Sequence, residues 1–198
     1  ATSNFYEQTV AFANHNSVGI VSDFAYGAIG FDGHKPISFL QTPGSKDVGI
    51  ETYTLSKTFN MAGWRVGFAV GNADMIEAIN LIQDHLFVSI FPAIQDAAIE
   101  ALSNTKARQT AVKSLQKTYE SRRNAFISAV REFNWEPYVS KGAFYVLMPV
   151  PEGYNSASFA DLLLTEANVA VADASGFGDE GEGYIRVGLT IEEERLVE

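Results

Sequence analysis

Short β-branched runs alternating with segments of helical period constrain this chain more than any other feature. VGIVS (18–22) is an apolar run bounded by polar residues and reads as a buried parallel strand. A second strand-like segment covers about 51–55, and a third, VGFAV (66–70), is closed by Gly71. At Asn72, a candidate N-cap, the period changes, and Met75, Ile76, Ile79, Ile82 and Leu86 recur at helical spacing. Residues 5–14 form an earlier helix anchored on Phe5, Val10 and Phe12. The alternation predicts an α/β chain that opens with part of a doubly wound, mostly parallel sheet.

The later residues follow another plan. Pro92 marks a break, and Ile94, Ala98, Ile99 and Leu102 restart a helix. A long helix is expected over 106–130, with Val112, Leu115, Tyr119, Phe126 and Val130 as its buried stripe. After Pro137, GAFYVLMPV (142–150) reads as a strand, 156–167 as a helix, and NVAVA (168–172) and YIRVGLT (184–190) as two more strands. The glycine-rich stretch 175–183 reads as a flexible loop. The chain divides near residue 104: residues 1–104 belong to the doubly wound domain, and 105–198 form a connecting helix and a smaller α+β domain.

Composition narrows the function. Hydrophobic side chains make up 46% of 198 residues, enough for a packed core, and the chain has 14 Phe and 8 Tyr. A formal net charge of -10 argues against nucleic acid and anionic membranes as partners. With no cysteine, disulfides and thiolate chemistry are excluded, and three scattered histidines leave no expected metal site. There is no apolar run of membrane-span length and no signal-peptide pattern, so the expected location is the cytoplasm.

The richest chemistry lies in TYTLSKTFNMAGWRVGF (52–68), which sets Thr54, Ser56, Lys57 and Arg65 at the end of a strand. Ligands bind at that end of an open α/β sheet. A partly desolvated lysine amine can form a Schiff base with an aldehyde. The Thr54 hydroxyl and the Arg65 guanidinium could both reach one phosphate, for which the planar fork of arginine is suited. On its own, a lysine in a polar loop is ordinarily a surface residue; the flanking apolar segments and the Gly-Trp-Arg run set Lys57 apart. Asp23 opens DFAY (23–26) after the first strand, where an Asp-initiated turn is the common alternative. Arg186 lies in YIRVGL (184–189), where a solvated edge position is the alternative.

The string SKTFNMAGWRVGF (56–68) resembles the lysine motif of class I/II pyridoxal-phosphate aminotransferases of fold type I. The resemblance covers nearly the whole chain in family order. It implies that Lys57 binds the cofactor pyridoxal 5'-phosphate as a Schiff base and that Thr54 and Arg65 hold its phosphate. It also implies that a buried Asp23 pairs with the pyridine nitrogen, Tyr26 bonds the ring's phenolic oxygen, and Arg186 binds the substrate's α-carboxylate. GAFY (142–145) is similar to the family's Gly-x-Phe strand, with Phe144 read chiefly as packing.

The implied reaction is transamination between an amino acid and a 2-oxo acid, in a homodimer. In detail, DFAYGAIGFDGHKPISFLQTPG and YTLSKTFNMAGWRVGFAVGNA look most like bacillus-type transaminases of methionine salvage, implying methionine and 2-oxo-4-methylthiobutyrate as substrates. Phe87, Val88, Phe91 and Phe144 would suit a thioether side chain. There is no Arg between Arg65 and Arg108 to serve a distal carboxylate. The resemblance further implies an upstream half carrying a glycine-containing phosphate loop, a stacking aromatic and an Asn, so the 198 residues alone are expected to be inactive. A pyridoxal-phosphate β-lyase and an aminotransferase-like sensor domain are the alternatives.

Overall fold

The computed structural model describes all residues from Ala1 to Glu198. They form two compact units, Ala1–Leu115 and Gln116–Glu198. The division falls within a long helix, Thr105–Arg131 (α6 below), which starts just past the residue-104 division read from the sequence.

In the first unit, α1 (Ser3–Asn16) is capped by Thr2, whose side chain accepts from the Phe5 N–H, and it stops at Ser17 in left-handed conformation. A three-stranded sheet follows, built from β1 (Ile20–Asp23), β2 (Gly49–Thr54) and β3 (Gly67–Gly71) in that spatial order. β1 runs parallel to β2, and β3 runs antiparallel to it. Short helices α2 (Ser45–Val48) and α3 (Leu55–Thr58) flank β2. The first three residues of β2 are buried. β1 differs from its expected burial: it forms an edge of this sheet, and Val21 is 63% exposed.

Asn72 caps α4 (Ala73–Leu86) as expected, its Oδ1 accepting from the Met75 N–H at 3.0 Å. The stripe of α4 is only partly covered. Met75 and Ile76 are half-buried, whereas Ile79, Ile82 and Leu86 are exposed. α5 (Pro92–Ser103) has proline in its first turn, where the missing N–H costs nothing.

The second unit holds the rest of α6, with Phe126 and Ile127 buried, and an antiparallel sheet. Its strands are β4 (Tyr145–Pro149), β5 (Ala172–Asp173) and β6 (Tyr184–Gly188), with β6 in the middle. β4 starts later than the expected strand because Ala143 stands at φ 62°, off the extended conformation. α7 (Ser156–Ala167) carries a capping box between Asn155 and Ser158 and ends on Asn168 at φ 55°. That left-handed stop takes residues 168–171 out of the expected strand over 168–172, so β5 keeps only Ala172 and Asp173. The stretch 175–183 is no loose loop either. Two 3-10 turns, Ala174–Phe177 and Asp179–Gly181, fold it, and a Cβ at Gly181 would come within 2.0 Å of the Ala174 carbonyl. α8 (Glu193–Val197) closes the chain.

Glu182 ties this stretch to α7. Its Oε1 accepts from the backbone N–H of Ser156 at 2.9 Å and of Gly183 at 2.9 Å. These two bonds hold its carboxyl below the ordinary value of 4.5. A lowered folded-state value stabilises the fold above 4.5, and that contribution is lost as pH falls through the folded value. Acid melting of this unit below about pH 4.5 should therefore be blunted in Glu182→Gln, which starts less stable at neutral pH. Circular-dichroism melts across that range check this, and identical pH slopes for both proteins would contradict it.

Candidate active site

Strand direction gathers five of the six expected site residues. Because β1 and β2 are parallel, Asp23 and Thr54 both stand at the C-terminal end of the sheet, Asp23 pairing with Thr52. β3 is antiparallel, so its first residue, Gly67, pairs with Thr54, which brings Arg65 to the same end. Lys57 follows on α3, the single turn that begins directly after Thr54. Tyr26 is half-buried in the turn after Asp23, where the Gly27 N–H donates to Phe24 O and the Ile29 N–H to Tyr26 O. Ile29 and Phe31 bury completely and anchor that turn.

The lysine turn is held from below. Leu55 is buried in a cluster with Met61, Val66 and Ala98, and its N–H donates to Val66 O at 3.2 Å. Its carbonyl in turn accepts from the N–H groups of Phe59 and Met61. Gly67 permits the close start of β3, since a Cβ there would lie 2.5 Å from the Tyr53 carbonyl. Lys57 itself is half-buried.

The polar groups at this sheet end retain capacity for a ligand. Thr54 Oγ1 accepts from the Ser56 N–H at 3.1 Å and donates its own proton to nothing in the chain. Arg65, in left-handed conformation, spends Nη1 on the Ala62 carbonyl at 2.9 Å and keeps its remaining donors. Asp23 Oδ1 accepts from the Ala25 N–H at 3.2 Å and from Thr52 Oγ1 at 3.5 Å, while Oδ2 accepts nothing and no cation pairs with it. Asp23 is exposed where a buried carboxylate is expected, because it ends an edge strand. A hydroxyl, a guanidinium, an amine and an open carboxylate fit a phosphorylated aldehyde with a protonated ring nitrogen.

Arg186 belongs to the second unit. The edge alternative does not hold, since β6 is the middle strand. The guanidinium is sandwiched between two aromatic rings, 4.2 Å from the Tyr145 centroid and 3.9 Å from the Phe177 centroid. Its N–H edge donates to no group of this chain. A flat arginine with covered faces and a free edge is prepared for bidentate pairing with a carboxylate. Sequence reasoning missed both rings. Tyr145 comes from β4 and Phe177 from the glycine-rich stretch, and a lone aromatic among glycines was the only signal available. Phe144 is buried and stacks on Tyr119 at 5.0 Å.

The fold is that of a domain of the fold-type-I pyridoxal-phosphate aminotransferases. The model of the family "Aminotransferase class I and II" matches residues 1–198, and the chain belongs to that family. All of it aligns, at 64% identity, with 49% of the L-glutamine–4-(methylsulfanyl)-2-oxobutanoate aminotransferase of Bacillus subtilis strain 168. It is 42% identical to an LL-diaminopimelate aminotransferase of Halothermothrix orenii, aligning all of this chain with 50% of that one. The apo BacF structure from Bacillus subtilis superposes with a TM-score of 0.93 at 41% identity, covering 99% of this chain and 49% of that one. The chain thus spans about half the length of the relatives it matches. No helix is long and apolar enough to cross a membrane.

Leu55→Ala removes the anchor under the lysine turn. It should cost about 2–5 kcal/mol, the usual range for a buried leucine. Urea denaturation measures this, and a loss below about 1 kcal/mol would show that the cluster does not hold α3.

Proposed function

We propose that this chain supplies the lysine-bearing part of an aminotransferase that moves an amino group between an amino acid and a 2-oxo acid. The carrying observation is the convergence of Asp23, Tyr26, Thr54, Lys57 and Arg65 at one end of one sheet. Bound pyridoxal phosphate supplies an aldehyde for amines and a ring that draws electrons from the substrate's α-carbon. Thr54 and Arg65 hold the phosphate by hydrogen bonding and charge. Asp23 offers its open Oδ2 to the ring nitrogen and keeps a proton there. Tyr26 bonds the phenolic oxygen. Lys57 would hold the cofactor through its amine, and the same amine would be placed to carry the proton taken from the substrate's α-carbon. Arg186 receives the substrate carboxylate, which fixes the orientation of the bond to be broken.

The name of the Bacillus subtilis relative and its 64% identity support 2-oxo-4-methylthiobutyrate as the amino acceptor, which becomes methionine, and L-glutamine as the amino donor. A donor and acceptor screen with the full-length enzyme tests that assignment, and a strong preference for oxaloacetate over 2-oxo-4-methylthiobutyrate as acceptor, or for aspartate over glutamine as donor, would contradict it. The family supports amino and 2-oxo acids as ligands; we extend this to a homodimer in the cytoplasm.

Two outcomes are expected. With pyridoxal phosphate added, the full-length enzyme should show a visible absorbance band that Lys57→Ala abolishes; an unchanged spectrum would remove Lys57 from its role. The 198 residues alone should give no turnover, since they match only about half of each relative. Measurable transamination by the purified chain with no other polypeptide present would refute that.

A further inference from the structure

One fully buried carboxylate has no part in the chemistry above. Glu51 sits in the middle of β2 with no exposed surface, and no lysine, arginine or histidine forms an ion pair with it. It accepts four hydrogen bonds instead. Oε2 takes the Ser22 hydroxyl at 3.1 Å and the Phe39 backbone N–H at 2.7 Å, while Oε1 takes the Ser38 hydroxyl at 2.6 Å and the Tyr53 hydroxyl. A buried carboxylate without a cation is costly to desolvate, and an apolar residue would serve stability as well. What the carboxylate adds is a fixed geometry among its donors.

Those donors adjoin the cofactor end. Ser22 directly precedes Asp23, and Tyr53 directly precedes Thr54. Side chains alternate across a strand, so Ser22, Glu51 and Tyr53 share the face opposite Asp23 and Thr54. Tyr53 also stacks on Phe68 at 5.0 Å and meets Phe24, the residue after Asp23, edge-on at 5.7 Å. Burial raises the Tyr53 hydroxyl above its ordinary value of 10.0, and its bond to Glu51 adds to this. Burial likewise raises Tyr6, followed by the charge of Glu51. Both tyrosines therefore stay protonated at neutral pH, and Tyr53 stays a donor.

We propose that Glu51 is a positioning residue: through Ser22 and Tyr53, and with the 38–39 segment strapped beneath, it sets Asp23 and Thr54 against the cofactor. The inference rests on the cofactor roles given to Asp23 and Thr54 under Proposed function. Residues that support a metal's ligands change its binding by roughly tenfold or more when removed, and an effect of that order is expected here for the cofactor.

The test uses the full-length enzyme carrying Glu51→Gln, which keeps the shape and removes the charge. The expected result is a retained fold, a Kd for pyridoxal phosphate raised roughly tenfold, and a displaced pH midpoint of the bound cofactor's visible band at saturating cofactor. That midpoint reads the seat of Asp23 and does not follow stability. A lowered melting temperature with Kd and midpoint unchanged would overturn the proposal and leave Glu51 a purely structural role. Lys57→Ala is run alongside. If it leaves the band intact, the cofactor reading and this inference fail together. If it abolishes the band while Glu51→Gln matches wild type in both readouts, only this inference fails. Should Glu51→Gln not fold, Tyr53→Phe and Ser38→Ala each remove one donor, and a Kd rise of about threefold is then expected from a single hydrogen bond; no rise in either overturns the proposal.

Discussion

The pairing of β2 with a parallel neighbour on one side and an antiparallel one on the other is the constraint on which the first unit depends. Parallel pairing puts the ends of β1 and β2 together, and antiparallel pairing turns the start of β3 to the same place. Residues as far apart in sequence as Asp23 and Arg65 thereby share one sheet end. The register is enforced where side chains cannot be accommodated, as at Gly67, and where they must be buried, as at Leu55. Lys57 inherits its position from both, being two residues past a buried leucine on a one-turn helix that cannot wander.

The second unit prepares its arginine by another route. Two rings replace the water on the faces of Arg186 and leave its edge to a ligand. One of them, Phe177, stands on a 3-10 turn that Asp173 caps through the Ser175 N–H. The same stretch is tied to α7 by Glu182 and Ser156, whose hydroxyl accepts from the Tyr184 N–H at 3.1 Å. A segment read as flexible from its glycines is therefore ordered by backbone hydrogen bonds that composition does not reveal.

Local signals in the sequence were sufficient where the determining interaction was local. The N-cap at Asn72, the long helix around Phe126 and the strand YIRVG follow from capping chemistry and period alone. The lysine motif was legible as a string, and its fit to the family covers all 198 residues. Tertiary facts were not legible. An edge place for β1 left Asp23 exposed, and incomplete cover left Ile82 and Leu86 in solvent despite their period. Asn168 ended a helix with a left-handed residue and so shortened a strand that β-branched composition favours. The donors of Glu51 and the rings on Arg186 come from segments distant in sequence, which no single window could join.

The central claim is that one amine, that of Lys57, condenses with the cofactor's aldehyde. Borohydride reduction of the full-length protein in the presence of pyridoxal phosphate makes that linkage permanent, and peptide mass mapping then locates it. The account predicts one dominant adduct on the peptide containing Lys57. An adduct on Lys35, Lys46 or Lys141 in its place, or spread evenly among the lysines, would contradict it.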